Sequence, residues 1–419
     1  MNKLLSINTF KAFRSRNYRL FFSGQSFSLM GTWMQRTAVY WVIYVQTHSA
    51  FILGLSVFAI QFPTFLFSLL GGTVADRYSR YKVLLITQIA SMIQAILLTV
   101  IIVFTKYSVP EILFLSVLLG IINAFDVPAR QSLVQDLVEN KEDLGNAIAL
   151  NSSMVQVAKL IGPAIAGIVL ELFGAGICFL INSLSFVAVI ISLMMMHLPK
   201  YIPQEQKQKV IEGLKEGVTY LKSAPSIGSI VLLLALSSFL VIPYVTLLPV
   251  VAKISLHGNA STYGYLFSAS GIGGIIGAIF LASLKPDANL RKVLISAILI
   301  FGVGLMLFSQ TENIFFALIF ATVSGFGMMS LGTITNTILQ TSSSKEMRGR
   351  IMSYYAMAFF GMQPVGALMI GSVSHYVGTS ETIFVQGIAA LLIAAFFFRT
   401  LWKPNSKIQR EDDYSSSSL

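Results

Sequence analysis

Charge is what this sequence has least of. Only 11% of its 419 residues are Asp, Glu, Lys or Arg, where an ordinary soluble domain carries about 25%. No water-facing surface of this length can be dressed with so few charges, which excludes an ordinary cytosolic enzyme. Cysteine occurs once, as Cys178 inside an apolar run, so neither a disulfide framework nor a Cys-based metal or redox site is expected. The four histidines, His48, His197, His257 and His375, stand far apart at the ends of apolar segments and make no metal cluster. A phosphate loop of the form G-x-x-x-x-G-K-[ST] is missing, so ATP has no motor here, and no cofactor is expected. The glycines of Gly271-Ile272-Gly273-Gly274-Ile275-Ile276-Gly277 follow no strand and read as helix packing. A membrane enzyme would need His, Asp or Ser gathered at one depth, and no such cluster is found.

What is abundant is apolar length. Hydrophobic residues make up 55% of the chain, in runs near 20 residues, the length that crosses about 30 Å of hydrocarbon. Such runs predict spans at 18–46, 52–74, 82–104, 111–135, 145–171 and 175–197, then at 227–252, 262–284, 291–310, 313–340, 350–375 and 381–402. The fold class is therefore an all-α membrane protein of twelve transmembrane helices in two six-helix halves. The first span is too long for a cleaved signal peptide, and no small-residue cleavage site follows it. The divisions expected are a first bundle over 1–198, a linker over 199–226, a second bundle over 227–402 and a disordered tail over 403–419 with its serines Ser415 to Ser418. Within the linker, Val210, Leu214, Val218 and Leu221 alternate with charges at helical spacing, which predicts either an amphipathic helix on the membrane surface or a plain linker.

Formal charge is +11, and its placement matters more than its sum. On the twelve-span frame, 25 of the 29 Lys and Arg fall in loops on the side of the N terminus, while only Lys106 and Lys253 fall in the opposite loops. That asymmetry predicts cytoplasmic termini and a cytoplasmic linker. It leaves the positive charge without any need of nucleic acid. A faint repeat accompanies the six-plus-six count: Gly145, Gly162 and Gly167 recur 204 positions later as Gly349, Gly366 and Gly371, and Lys82-Val83-Leu84 recurs 210 positions later as Lys292-Val293-Leu294. Two related halves are the architecture of secondary transporters.

Between spans two and three stands Gly72-Thr73-Val74-Ala75-Asp76-Arg77-Tyr78-Ser79-Arg80-Tyr81-Lys82. A glycine permits a close approach of helices, and an acid with several bases forms a charge network at helix ends. As G-x-x-x-D-R-x-x-R in a loop of this topology, it resembles the signature loop of the major facilitator superfamily, with Tyr81 in place of the usual second base. Phe125-Asp126-Val127-Pro128-Ala129-Arg130-Gln131, Asn146 to Ser152 and Gly162-Pro163-Ala164-Ile165-Ala166-Gly167 are similar to the bacterial exporters of the third drug:proton antiporter family, which includes enterobactin and macrolide exporters. The resemblance implies export of a small organic molecule across the bacterial cytoplasmic membrane, coupled to a proton, by a protein expected to be monomeric. Multidrug or macrolide efflux of broad specificity, uptake, and lysophospholipid or other solute movement are the alternatives within transport.

Ionisable groups inside a bilayer are costly and face a cavity or a partner. In span one Gln25, Ser28, Thr32, Gln35 and Arg36 recur at three- and four-residue steps and are expected to line water. Arg36 either meets substrate or snorkels to the interface. In span five Asn151, Ser152, Gln156 and Lys159 share a face, and Lys159 either lines the cavity or pairs with a neighbouring helix. In span four Ser116, Asn123, Asp126 and Arg130 form a stripe. Asp126 either closes an inner gate by pairing with Arg77 or Arg80, or binds the coupling proton. The second half offers only neutral groups, Tyr244, Asn336, Gln340, Tyr354, Tyr355 and Gln363 among them. Thus the cavity group is expected to be Arg36, Lys159, Gln156, Gln35, Thr32 and Asn123, and the gate Gly72, Asp76, Arg77, Arg80, Asp126 and Arg130. A hollow so electropositive suits an anionic or electron-rich substrate, siderophore-like or drug-like. Trp33, Tyr40, Trp41 and Tyr44 either stack on an aromatic substrate or anchor the span at the interface.

Overall fold

The computed structural model describes residues 8–105, 107–198, 210–285, 287–344 and 346–402. The expected tail and the first part of the linker lie outside the described residues.

Six helices form a first set: α1 (Arg16–Thr47), α2 (Ala50–Arg77), α3 (Arg80–Phe104), α4 (Val109–Leu133), α5 (Leu144–Phe173) and α6 (Ala175–Met194). The polar stretch contributes α7 (Val210–Ser223). The second set begins with α8 (Pro225–Leu240), which runs on through a 3₁₀ segment, the short α9 (Leu248–Val250) and a π-turn to Ser255. It continues with α10 (Ala260–Ala282), α11 (Leu290–Ser309), α12 (Ile314–Ser342), α13 (Arg348–Ala356), a π-segment Met357–Gly361, α14 (Met362–Val377) and α15 (Thr379–Trp402). Many helices begin just after a Ser or Asn. The side chains of Ser15, Ser49, Asn259, Asn289 and Asn313 each accept a first-turn N–H, which satisfies a backbone donor that has no partner in the helix itself. Ser108 and Glu111 form a reciprocal capping box at α4.

Among the described residues, eleven segments are long and apolar enough to cross a membrane. Helix α1, with 32 residues, is the twelfth crossing. Its average is lowered by Gln25, Ser28 and Gln35, each 2% exposed or less, which are turned into the protein instead of toward lipid. In the first set α1 packs on α5 and α6, α2 on α4, and α3 on α4 and α6; in the second, α10 packs on α12, and α11 on α12 and α15. We call the face that carries Arg77, Arg80 and Lys82 the basic face. Helix α7 docks there on α13, where Glu216 pairs with Arg350, Gly217 lies against the Tyr354 ring and the Tyr220 hydroxyl accepts from the Ser344 N–H at 3.5 Å. Gly217 is what lets the rod approach; a side chain there would strike the ring.

The two sets meet along two seams near the opposite face, α2 against α14 and α5 against α10. Both are built from glycine. A Cβ on Gly371 would stand 2.5 Å from the Ala50 carbonyl oxygen and 3.1 Å from Gly54 Cα, and one on Gly264 would stand 2.5 Å from the Pro163 oxygen and 3.2 Å from Gly167 Cα. The internal repeat explains the pairing. Gly167 and Gly371 are 204 positions apart, Gly54 and Gly264 are 210 apart, so each seam joins one member of each glycine pair. The same 204-residue offset relates Gly174 (φ +80°) to Gly378 (φ +106°), the left-handed hinges before α6 and α15. Toward the basic face, Ser152 on α5 and Thr337 and Gln340 on α12 are exposed.

Candidate functional site

An aromatic and cationic cluster stands where α1, α5 and α10 meet. Helix α1 brings Trp33 against α5, where the Gly162 backbone leaves room for it: a Cβ on Gly162 would stand 2.7 Å from Trp33 Cβ. The Arg36 guanidinium lies over the Trp33 ring at 4.9 Å and the Lys159 ammonium at 5.9 Å. A cation over an indole face gains roughly 0.5–2 kcal/mol. Arg36 is close enough to repel the Lys159 charge. Helix α10, from the other set, covers the cluster: Phe267 stands 6.0 Å from Trp33, and Tyr263 stacks on Trp41 at 6.2 Å and 11°. Among the described residues, neither Arg36 nor Lys159 makes a hydrogen bond or an ion pair. Both therefore sit where the two sets join, not on the lipid side. Gln156 is half-buried one turn before Lys159, and Asn123 is half-buried on α4. Thr32 is half-buried too, and its hydroxyl donates to the Ser28 carbonyl at 2.8 Å.

Gln35 does not belong to this cluster. It is 1% exposed and ties three helices of the first set together: its amide donates to Gln94 Oε1 at 2.9 Å and its Oε1 accepts from Asn182 at 2.8 Å, while Gln94 donates to the Leu115 carbonyl at 3.1 Å. Neighbouring positions of a helix point about 100° apart, so Arg36 faces the seam while Gln35 faces the bundle. Ser28 follows Gln35 inward and donates to Gln88 Oε1 at 3.2 Å. The expected water-lined face of span one is thus mostly a polar core. Tyr244, read as a cavity group, is likewise fully buried in the second set and bonded to Ser270 at 2.9 Å.

The gate group is also rearranged. Asp126, 7% exposed, accepts from Gln88 at 2.7 Å and from Thr87 at 3.0 Å, and it pairs with Arg130 at 3.4 Å. The expected partners Arg77 and Arg80 are elsewhere. Arg77 is exposed, and Arg80 pairs with Asp136 at 3.2 Å and donates to the Ser132 carbonyl at 3.3 Å. Asp126 lies one turn before Arg130 and faces α3, which puts the loop out of its reach in this conformation. Asp76 is half-buried at the end of α2. Gly72 is not the glycine of close approach, because nothing lies within 4 Å of a Cβ built there. Its neighbour Gly71 packs on the backbone of Ala124 and Phe125. Sequence reasoning did not single out Tyr263, Phe267 or the seam glycines Gly54 and Gly264. The signal for the glycines was available as the 210-residue offset that also relates Lys82 to Lys292.

Comparison with known proteins agrees with this architecture. The chain is 27% identical over 385 residues to the staphyloferrin A transporter of Staphylococcus aureus, covering 91% of this chain and 95% of that protein. It is 25% identical to the enterobactin exporter EntS of Shigella boydii, covering 94% and 93%, and 20% identical to the multidrug efflux pump Tap of Mycolicibacterium fortuitum, covering 84% and 88%. Among solved structures, the nucleoside transporter NupG superposes with a TM-score of 0.72 at 13% identity, covering 92% of this chain and 99% of that one. A D-xylose–proton symporter superposes at 0.69 and 14%, covering 92% and 98%. These likenesses carry the fold. The family model described as transmembrane secretion effector matches residues 7–417, and the chain accordingly belongs to that family of the major facilitator superfamily, a membrane transporter and not an enzyme.

Proposed function

We propose that the protein exports an anionic small organic molecule, of the siderophore kind, from the bacterial cytoplasm by alternating access between its two halves. The observation that carries this reading is the pair Arg36 and Lys159 on one indole ring, at the junction of the halves, with no acid bonded to either. An anion reaching this cluster meets two donors of positive charge and an aromatic face. A lipophilic cation would meet repulsion. The relatives named for staphyloferrin A and enterobactin point the same way.

The charge asymmetry favours a cytoplasmic basic face, and the closed glycine seams then lie toward the outer side. A proton moving the other way is the expected driving ion, with Asp126 or Lys159 as its carrier, and the working unit is the monomer. Proteoliposomes test the whole reading. With an imposed proton gradient, an aromatic carboxylate should move, and Arg36→Gln and Lys159→Gln should each abolish the movement. Undiminished export of a lipophilic cation by both variants would overturn it in favour of broad drug efflux, the second reading, to which the aromatic cover of Trp33, Tyr263 and Phe267 is also suited.

A further inference from the structure

Two half-buried cations share one ring at the junction of the halves, and charge of one sign gathered within a bilayer calls for a counter-charge. The indole quadrupole offsets only part of the lost hydration. On α5 the next acid after Lys159 is Glu171, 12 residues on, about 18 Å along the axis, and it is engaged with the Asn259 amide at 2.6 Å. Among the described residues, no acid pairs with either cation.

A second observation falls at the same spot. The Tyr40 hydroxyl, on α1 one turn beyond Arg36, is buried with no hydrogen-bond partner, in a residue 6% exposed. Buried hydroxyls are normally bonded. Arg36 lies one turn back on the same helix, and the Gln61 side chain and Tyr263, 1% exposed, are the neighbours of Tyr40. A phenol O–H, a guanidinium and an ammonium are all donors. Two cations on one ring and an unbonded phenol one helical turn from Arg36 form a set of donors that suits an anion.

We propose that a small inorganic anion of the chloride type rests between Arg36, Lys159 and the Tyr40 hydroxyl while the transporter waits, and that the organic anion displaces it. This rests on the reading of Arg36 and Lys159 as substrate groups. The resident anion neutralises the pair during the empty return of the transporter, and the substrate takes over that role when loaded. One consequence is that substrate affinity falls as chloride rises.

The test uses the purified full-length protein in lipid nanodiscs. Chloride replaces gluconate at constant ionic strength while the thermal unfolding midpoint is read, since a ligand of the native state raises it in a saturable way. The midpoint should climb and saturate with chloride. Tyr40→Phe should weaken the chloride constant about tenfold, Arg36→Gln should remove the response, and Arg36→Lys should restore it. In the wild type, chloride at ten times its constant should weaken benzoate binding about tenfold. A midpoint indifferent to chloride, or a response that survives in Arg36→Gln, overturns the inference. If benzoate binds through Arg36 yet chloride has no effect, the anion site is refuted and the export reading stands. If chloride binds through Arg36 and benzoate neither binds nor competes, both the displacement and the export reading beneath it are refuted.

Discussion

The close approach at the glycine seams fixes the size of one expected effect. At Gly264 a Cβ would stand 2.5 Å from the Pro163 oxygen and 3.2 Å from Gly167 Cα. Both partners are backbone, so neither can rotate away, and ordinary contact would require α5 and α10 to part by roughly 1 Å. Gly264→Val therefore strains the conformation in which the seam is closed, by about 1–3 kcal/mol, and leaves the conformation with the seam open unstrained. Any effect of the substitution on intrinsic helix preference is the same in both and cancels. A differential of that size shifts the balance toward the open seam by roughly 5- to 150-fold. The reporter belongs on the other seam. In a Cys178→Ala background, Ala367→Cys places a thiol at a position 1% exposed, against Gly54. Membrane-impermeant maleimide added from outside should label it faster in Gly264→Val by a factor in that range. If labelling at Ala367→Cys does not change while the α5–α10 seam itself loosens, the halves do not move as rigid bodies and the reasoning fails.

Three further expectations follow from the bonded networks. Gln35→Leu strands Gln94 Oε1 and the Asn182 amide, which costs about 1–3 kcal/mol; the thermal midpoint should fall while benzoate affinity stays near the wild-type value. Asp126→Asn keeps the bonds from Thr87 and Gln88 but leaves Arg130 charged and buried, a loss of about 3–5 kcal/mol. Adding Arg130→Met to it should recover most of the stability, and thermal unfolding of the single and double variants checks this. Glu216→Gln removes an ion pair whose side chains are 55% and 37% exposed, so the stability should change by less than about 1 kcal/mol. A larger drop would mean that docking of α7 on α13 depends on that pair.

The spans were legible because lipid demands uninterrupted apolar length and the chain marks its starts with caps. Expected starts at 52 and 82 fall within two residues of Ala50 and Arg80, and the expected end at 104 coincides with Phe104. The breaks inside the seventh and eleventh crossings, at Ile242–Leu247 and Met357–Gly361, were not legible; only Pro243 hints at the first. In the site, Arg36 and Lys159 stood out because a lone charge in an apolar run has no other reason to be there. Gln35 misled because an amide is equally at home in water and in a polar core. Its partners, Gln94 and Asn182, lie 59 and 147 positions away, and no periodicity within one helix reports them. Gly71 and Gly72 show the same limit: adjacent glycines point to different sides, and the loop pattern does not say which one meets α4.

The position of the cluster across the junction links binding to movement. Trp33, Arg36 and Lys159 come from the first half, while Tyr263 and Phe267, which cover them, come from the second. Closing the α5–α10 seam therefore excludes water from the two cations, and the attraction of an anion to them rises as the surrounding dielectric falls. Opening the seam withdraws Tyr263 and Phe267 together with α10 and readmits water to Arg36. The same anion is then held weakly. On the proposed export reading, affinity is expected to be highest with the seam closed and lowest with it open, which is the order that export needs. Replacing Phe267 by Ala tests this step: it thins the cover without touching either cation, so it should weaken benzoate binding in the closed-seam state while leaving the weak binding of Gly264→Val nearly unchanged. Equal losses in both backgrounds would show that Phe267 contributes simple contact instead of shielding, and the link between seam and affinity would have to be abandoned.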